Sequence, residues 1–256
     1  MREPITFLGV PMHPWSMAET VTEIERRLRN GRFIQHGVVN VAKVVAMQDN
    51  RDLFDAIASC DIINIDGMGV VWGARFMGHM IPERVGGIDL FHKLLEMAER
   101  TGDSVYFLGA KEGVIDTAVA KLQARYPRLN VAGYHHGYFW EDEEAMVREI
   151  GASGASLLFV AISPPKKEIF IAKWGDRLNV KFAMGVGGTL DVVAGKTKRA
   201  PLWMQRWGLE WFFRFLQEPR RMFWRYFSSN SRFALLLLKA RLAKLFSRRA
   251  TAAADQ

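Results

Sequence analysis

Short apolar runs alternate along this chain with stretches in which apolar positions recur every three to four residues. The runs Ile5–Val10, Gly37–Val41, Ile62–Ile65, Val105–Leu108, Val131–Gly133, Leu157–Ile162 and Lys181–Val186 read as strands. Several are apolar at successive positions, as expected of parallel strands covered on both faces. The segments Met17–Leu28, Gly87–Arg100, Lys111–Arg125, Glu143–Ile150 and Lys166–Trp174 have helical spacing, and Asp52-Leu53-Phe54-Asp55 opens a further short helix. The alternation predicts an α/β fold: an open, doubly wound, mostly parallel sheet with helices on both faces. Such sheets take ligands beyond the carboxyl ends of their strands, so the residues just after each strand are the first candidates for chemistry.

The pattern changes after residue 195. Arg199-Ala200-Pro201 interrupts it, and four of the eight tryptophans fall within residues 203–224. From Phe233 to Arg249, helical spacing gathers Leu235, Leu238, Leu242, Leu245 and Phe246 on one side and Arg241, Lys244 and Arg248 opposite. With 256 residues, 49% of them hydrophobic, the chain has enough material for one sizeable core plus an appendage. The expected division is 1–195 for the α/β domain and 196–256 for a basic, Trp-rich helical appendage.

Charge sharpens that division. Residues 1–195 carry 21 Lys/Arg against 24 Asp/Glu, whereas residues 196–249 carry 14 against two. The net charge of +8 therefore belongs to one segment, which calls for an anionic partner. The longest apolar run near the C-terminus, Phe233–Leu238, is far short of the roughly 20 residues that span a bilayer. Nothing in the first residues has the charged-then-apolar form of a secretory signal. The expectation is a cytoplasmic protein whose membrane contact is peripheral. A single cysteine, Cys60, allows no internal disulfide and sits in an apolar run as a small core residue.

Several strand ends carry candidate chemistry. Asp66, in Asn64-Ile65-Asp66-Gly67-Met68-Gly69, follows a strand directly; it can accept a proton from a substrate hydroxyl, or simply cap the next helix from an Asp-Gly turn. Gly109 ends a strand before a helix, a place where phosphate can be held or an ordinary βα turn, and the full G-x-G-x-x-G spacing is missing. Gly185-Val186-Gly187-Gly188-Thr189-Leu190-Asp191 opens space after another strand, with Asp191 placed to accept from ribose or sugar hydroxyls or to cap a helix. Tyr138, after His135-His136-Gly137, can stack on a base or pack in its loop. Pro164-Pro165-Lys166-Lys167-Glu168 offers cations to a phosphate or anionic sugar, or a solvated face. Arg84, in a loop, has a fork suited to phosphate, or is an ordinary surface arginine. No Cys/His arrangement has metal-ligand spacing.

In this order the segments resemble the WecG/TagA/CpsF family of glycosyltransferases, from about Asn40 to Tyr226. They are Asp66-Gly67-Met68-Gly69, Arg84-Val85-Gly86-Gly87-Ile88-Asp89, Phe107-Leu108-Gly109, Pro165-x-x-Glu168, Gly185-Val186-Gly187-Gly188-x-x-Asp191, Ala194-Gly195, Arg199-Ala200-Pro201, Leu209-Glu210-Trp211-x-x-Arg214 and Glu218-Pro219-Arg220-Arg221-x-x-x-Arg225-Tyr226. The resemblance implies a Rossmann-like, metal-independent, inverting enzyme with no cofactor. Its donor is a UDP-sugar and its acceptor a saccharide on a polyprenyl diphosphate at the inner membrane face, in exopolysaccharide, capsule or other envelope glycan synthesis. It implies Asp66 as general base, with Asn40 and Arg84 lining the same pocket. Arg214, Arg221 and Arg225 of the appendage would reach the diphosphates. Gly109, Tyr138, Lys167, Glu168, Gly187 and Asp191 are then assigned to the nucleotide-sugar. The family usually has Gln where this chain has Lys167 and Trp where it has Phe170, which points to a different sugar or an anionic group. Some members oligomerise, so a homo-oligomer stays open.

Two other readings fit parts of the sequence. A basic, Trp-rich segment suits nucleic acid, but leucines opposite the cations suit an anionic membrane surface better. A nucleotide-sugar epimerase or dehydrogenase is also α/β, but the first turn, Gly9-Val10-Pro11-Met12-His13-Pro14, lacks the glycine spacing those enzymes use.

Overall fold

The computed structural model describes residues 1–254, apart from the side chains of Arg206, Arg221, Arg225 and residues 245–254. Arg221 and Arg225, and Leu245, Phe246 and Arg248 of the terminal stripe, thus have side chains outside the described residues. In chain order the elements are β1 (Ile5–Phe7), β2 (Val10–Met12), α1 (Met17–Leu28), β3 (Ile34–Val39), α2 (Val41–Ala46), α3 (Arg51–Ala58), β4 (Ile62–Ile65), α4 (Met68–Phe76), α5 (Gly87–Thr101), β5 (Val105–Gly109), α6 (Glu112–Arg125), β6 (Val131–His135), α7 (Glu143–Ala152), β7 (Leu157–Ala161), α8 (Lys166–Trp174), β8 (Phe182–Gly185), α9 (Thr189–Ala194), α10 (Leu202–Arg206), α11 (Glu210–Gln217) and α12 (Pro219–Ala254).

Six strands form one parallel sheet in the order β4-β3-β8-β7-β5-β6. The expected Rossmann-like α/β architecture is what the chain adopts. Alternate residues serve two layers: Val105, Phe107, Leu157, Phe159, Phe182 and Met184 pack under α1, α5, α6 and α9. Tyr106, Leu108, Leu158, Val160 and Ala183 face α7 and α8, while Val39, Ile63 and Ile65 face α2, α3 and α4. The chain leaves β3 for β4 on one side and returns to β8 on the other. The carboxyl ends of β4, β3 and β8 therefore flank a topological switch, where such sheets open a crevice.

One expected strand is a hairpin instead. Ile5–Val10 does not enter the sheet: Leu8 at φ 50° and Gly9 at φ 80° reverse the chain, so β1 pairs antiparallel with β2. Two successive residues in the left-handed region give the tight turn whose twist matches a hairpin. An apolar run offers no periodic cue to such a reversal. The strand expected over Gly37–Val41 runs from Ile34 to Val39, because Asn40 ends it by capping α2.

The terminal helix α12 lies against the body through a face other than the expected leucine stripe. Phe233 is buried against Phe7, with ring centroids 6.2 Å apart, and Leu236, Leu237 and Ala240 pack beside it. Gly73 of α4 lets this happen, since a Cβ there would lie 3.0 Å from the Phe233 ring. Arg232 pairs with Asp49 at 2.6 Å, Lys244 donates to the Met77 carbonyl, and Arg241 stands over the Phe76 ring. Leu235, Leu238 and Leu242 are exposed. Among the described residues no helix is long and apolar enough to cross a membrane.

Candidate active site

Asp66 leaves the end of β4 into a turn made by Gly67 at φ 145°. Its side chain is 27% exposed. Arg84 Nη1 lies 3.5 Å from Oδ1, and the Gly87 N–H donates to Oδ2 at 3.3 Å. Gly87 opens α5, so the carboxylate also meets the positive end of a helix. Burial raises the Asp66 pKa, and the nearby Glu210 adds to this; Arg84, the Gly87 N–H and Arg214 oppose it. The result is a carboxyl held above its ordinary range, as suits a base that must take and release a proton.

Asn40 sits beside Asp66: a Cβ on Gly67 would lie 3.4 Å from the Asn40 Cβ. Asn40 Oδ1 accepts from the Lys43 N–H at 3.0 Å and caps α2.

Residues beyond 195 reach this group of charges. Glu210, at the start of α11, accepts from Arg84 Nη1 at 2.5 Å through one oxygen and from Arg199 Nε at 3.3 Å through the other. Arg199 Nη2 donates to Asp89 Oδ2 at 2.7 Å, and Arg84 Nη2 lies 3.9 Å from the same oxygen. Asp66, Arg84, Glu210, Arg199 and Asp89 thus form a closed run of charges between the sheet and the C-terminal helices. The turn before α11 seals it: Gly208, at φ 71°, passes so close to Met68 that any Cβ would collide with its side chain. Neither Glu210 nor Arg199 stood out as a site residue in the sequence, although both lie in the family segments. A separation of 126 residues between Arg84 and Glu210 carries no local signal.

On the other side of the switch, Gly109 has φ 128°, and a Cβ there would run into the Ala161 carbonyl. The loop of Gly137 and Tyr138 folds against it, with the Gly137 N–H donating to the Ala110 carbonyl at 2.9 Å. Tyr138 is exposed. Gly187, at φ 55°, and Gly188 have open space where a Cβ would be. Asp191 lies in the first turn of α9, with Oδ1 3.5 Å from Lys196. Arg214 is exposed on α11.

Lys167 and Glu168 are placed differently from a surface loop. Both are buried, and Glu168 Oε1 accepts from Lys167 Nζ at 2.5 Å and from Lys43 Nζ at 2.8 Å. Burial and the neighbouring Lys43 push the Lys167 pKa down to about 8 against the pull of Glu168. The Lys167 stem lies over Gly185, where a Cβ would come within 2.9 Å. Lys43 was not singled out from the sequence.

The family model for glycosyl transferases of the WecG/TagA/CpsF family matches residues 5–246. The chain belongs to that family. It is a glycosyltransferase of cell-envelope glycan synthesis. Among curated relatives it is 35% identical over 201 residues to an N-acetylglucosaminyldiphosphoundecaprenol N-acetyl-beta-D-mannosaminyltransferase of Bacillus subtilis (strain 168), covering 78% of this chain and 77% of that one. A protein of the same description from Bacillus spizizenii (strain ATCC 23059 / NRRL B-14472 / W23) is 36% identical over 195 residues, covering 76% and 74%.

Proposed function

We propose that the glycosyltransferase moves a sugar from a UDP-sugar to a saccharide carried on a polyprenyl diphosphate, with inversion. Asp66 takes the proton of the acceptor hydroxyl. That oxygen bonds to the anomeric carbon as the bond to the diphosphate breaks, and UDP leaves with the electron pair. Asn40 and Arg84 orient the groups around Asp66. Gly109, Tyr138, Gly187 and Asp191 hold the nucleotide, and Arg214, Arg221 and Arg225 meet diphosphate charge. Lys167 and Glu168 act from behind the glycine loop after β8. The observation that carries this reading is Asp66 itself: a part-buried carboxyl with raised pKa, held by a guanidinium and a helix N-terminus beneath the C-terminal helices.

The decisive experiment offers a panel of UDP-sugars with a short-chain polyprenyl-diphosphate saccharide and reads products by mass spectrometry. A new glycan with equimolar UDP is expected. Asp66→Asn is expected to lower turnover by about 10³-fold with UDP affinity little changed, and near-normal turnover removes Asp66 from the base role.

Residues 196–256 then form an appendage that closes the pocket and rests on the inner face of the membrane. Trp203, Trp207, Trp211, Trp224, Leu235, Leu238 and Leu242 are all exposed, in a segment rich in Lys and Arg. Tryptophan favours the headgroup region, and cations favour anionic lipid. Because Phe233 is part of the core, truncation at residue 230 would damage the fold. Replacing Leu235, Leu238 and Leu242 by Ser is the cleaner test. It is expected to weaken binding to vesicles containing anionic lipid, and unchanged binding moves the membrane contact elsewhere. Gel filtration and light scattering read whether a homo-oligomer buries the same leucines.

A further inference from the structure

Beneath the crevice lies a second charged group that the transfer reaction does not use directly. Lys43, Lys167 and Glu168 are all buried, on the face of the sheet covered by α2, α3 and α8. Their place is the seam between β3 and β8, which pair in parallel at the topological switch. Gly185, at the end of β8, lacks the side chain that would exclude the Lys167 stem. Lys43 Nζ bonds at once to the Val38 carbonyl at 2.6 Å and to Glu168 at 2.8 Å, so it is fixed to the end of β3 and to the first turn of α8. Its backbone N–H is the one capped by Asn40 Oδ1.

Two sides of the pocket meet in this group. Asn40 stands on the Asp66 side, and its turn is held through Lys43. The glycine loop after β8 stands on the donor side, and Gly185, the last residue of β8 leading into it, is packed by the Lys167 stem. We propose that Lys43 and Glu168 are positioning residues, which tie the Asn40 turn to α8 and Gly185 so that the acceptor and donor sides of the pocket keep one geometry. This rests on the reading of Asn40 and of the loop after β8 given above. Burying two ammonium groups around one carboxylate oxygen does not by itself favour folding. A buried pair replaced by apolar side chains of similar volume is often neutral or stabilising, while loss of one partner is costly. A charged group kept in such a place needs another reason, and holding catalytic geometry supplies one.

That asymmetry separates positioning from simple structural support. In the triple variant Lys43→Met, Lys167→Met, Glu168→Leu, a group that merely supports the fold would leave turnover normal whenever stability is normal. The proposal expects wild-type thermal stability, kcat lower by about tenfold or more and the donor KM within about twofold. Wild-type kcat in a stable triple variant overturns it. Should the triple variant not fold, Glu168→Gln keeps the shape of the side chain and removes its charge. Amide hydrogen exchange then follows the Lys43 N–H, which is expected to exchange about tenfold faster, while amides in β5 and β7 hold their rates. An unchanged rate at Lys43 overturns the proposal. The exchange measurement needs no turnover, so absence of sugar transfer by the wild-type protein would count against the proposed reaction and leave this result readable.

Discussion

The protein holds two clusters of ionised side chains, one at the carboxyl end of β4 and one at the seam of β3 and β8, and they obey different rules. The upper cluster, Asp66, Arg84, Asp89, Arg199 and Glu210, joins the sheet to the C-terminal helices, and its members keep 17–39% of their side-chain surface. The lower cluster, Lys43, Lys167 and Glu168, keeps no more than 8%. The upper cluster is only part-buried and keeps some contact with water; burial and Glu210 push the Asp66 pKa up while Arg84 pulls it down, so the charges there set the field at that carboxyl. The lower cluster has little such contact, and each charge depends on its neighbours. The same residue types therefore tune a proton in one place and fix a backbone in the other.

Breaking the lower cluster on one side only is expected to have the largest effect on folding. Glu168→Leu leaves two lysines buried without their carboxylate and is expected to cost about 3–5 kcal/mol in denaturant unfolding. Removing one partner of the upper cluster should cost far less, and a loss of equal size there would erase the contrast.

The seal over the upper cluster comes next. Gly208→Leu places a side chain where Met68 stands, at a left-handed φ. It is expected to lift α10 and α11 from the Asp66 turn and lower kcat/KM by about 10²-fold. Transfer at the wild-type rate would show that closure of these helices is dispensable.

Glu210→Gln tests the field more gently. Arg84 and Arg199 lose a shared carboxylate, and kcat/KM is expected to fall by about tenfold, the effect of one misaligned polar group. The variant has a second, sharper signature in pH. Asp66 must be ionised to act as base, so the rate falls as pH falls through its pKa. Because burial and Glu210 raise that pKa, the wild-type acid limb should lie above the ordinary Asp value of about 3.9. Without the Glu210 charge the limb should move to lower pH. A limb that stays in place, or moves upward, disconnects Glu210 from the proton on Asp66.

The smallest effect is expected away from the pocket. Glu23 is clamped by Arg26 and Arg27, and their hydrogen bonds bring its pKa down to about 2 despite burial. A carboxylate with a depressed folded pKa lends stability above its unfolded pKa and loses it as pH falls toward the folded value. Glu23→Gln should thus cost about 1 kcal/mol at neutral pH, with the cost shrinking as pH falls from the unfolded pKa through about 2 and vanishing only below it. A constant difference across that range would show that packing, not charge, is what Glu23 contributes.

Most of the sheet was legible because a strand buried on both faces must be apolar throughout, as in Val105–Leu108 and Leu157–Ala161, and because helices such as Met17–Leu28 carry their own spacing. Asp66 was legible for a related reason: a polar residue directly after a buried strand is at a carboxyl end wherever the sheet is parallel. The hairpin at Leu8-Gly9 was not, since an apolar run does not show where it reverses. In the last helix, leucines of near-equal hydrophobicity occupy every side, and the helical spacing could not tell the packed face, Phe233, Leu236 and Leu237, from the exposed one, Leu235, Leu238 and Leu242.

The amino-acid sequence alone thus determined the α/β order, the charge asymmetry and the residues offered at each strand end, because periodicity and turn chemistry are local. That Glu210 stands on Arg84, that Lys43 meets Glu168 across 125 residues, and that Lys167 points inward rather than to solvent came from long-range packing. Those outcomes depend on which strands become neighbours. Strand pairing is set by the energy of the whole packed sheet, not by any window of the chain.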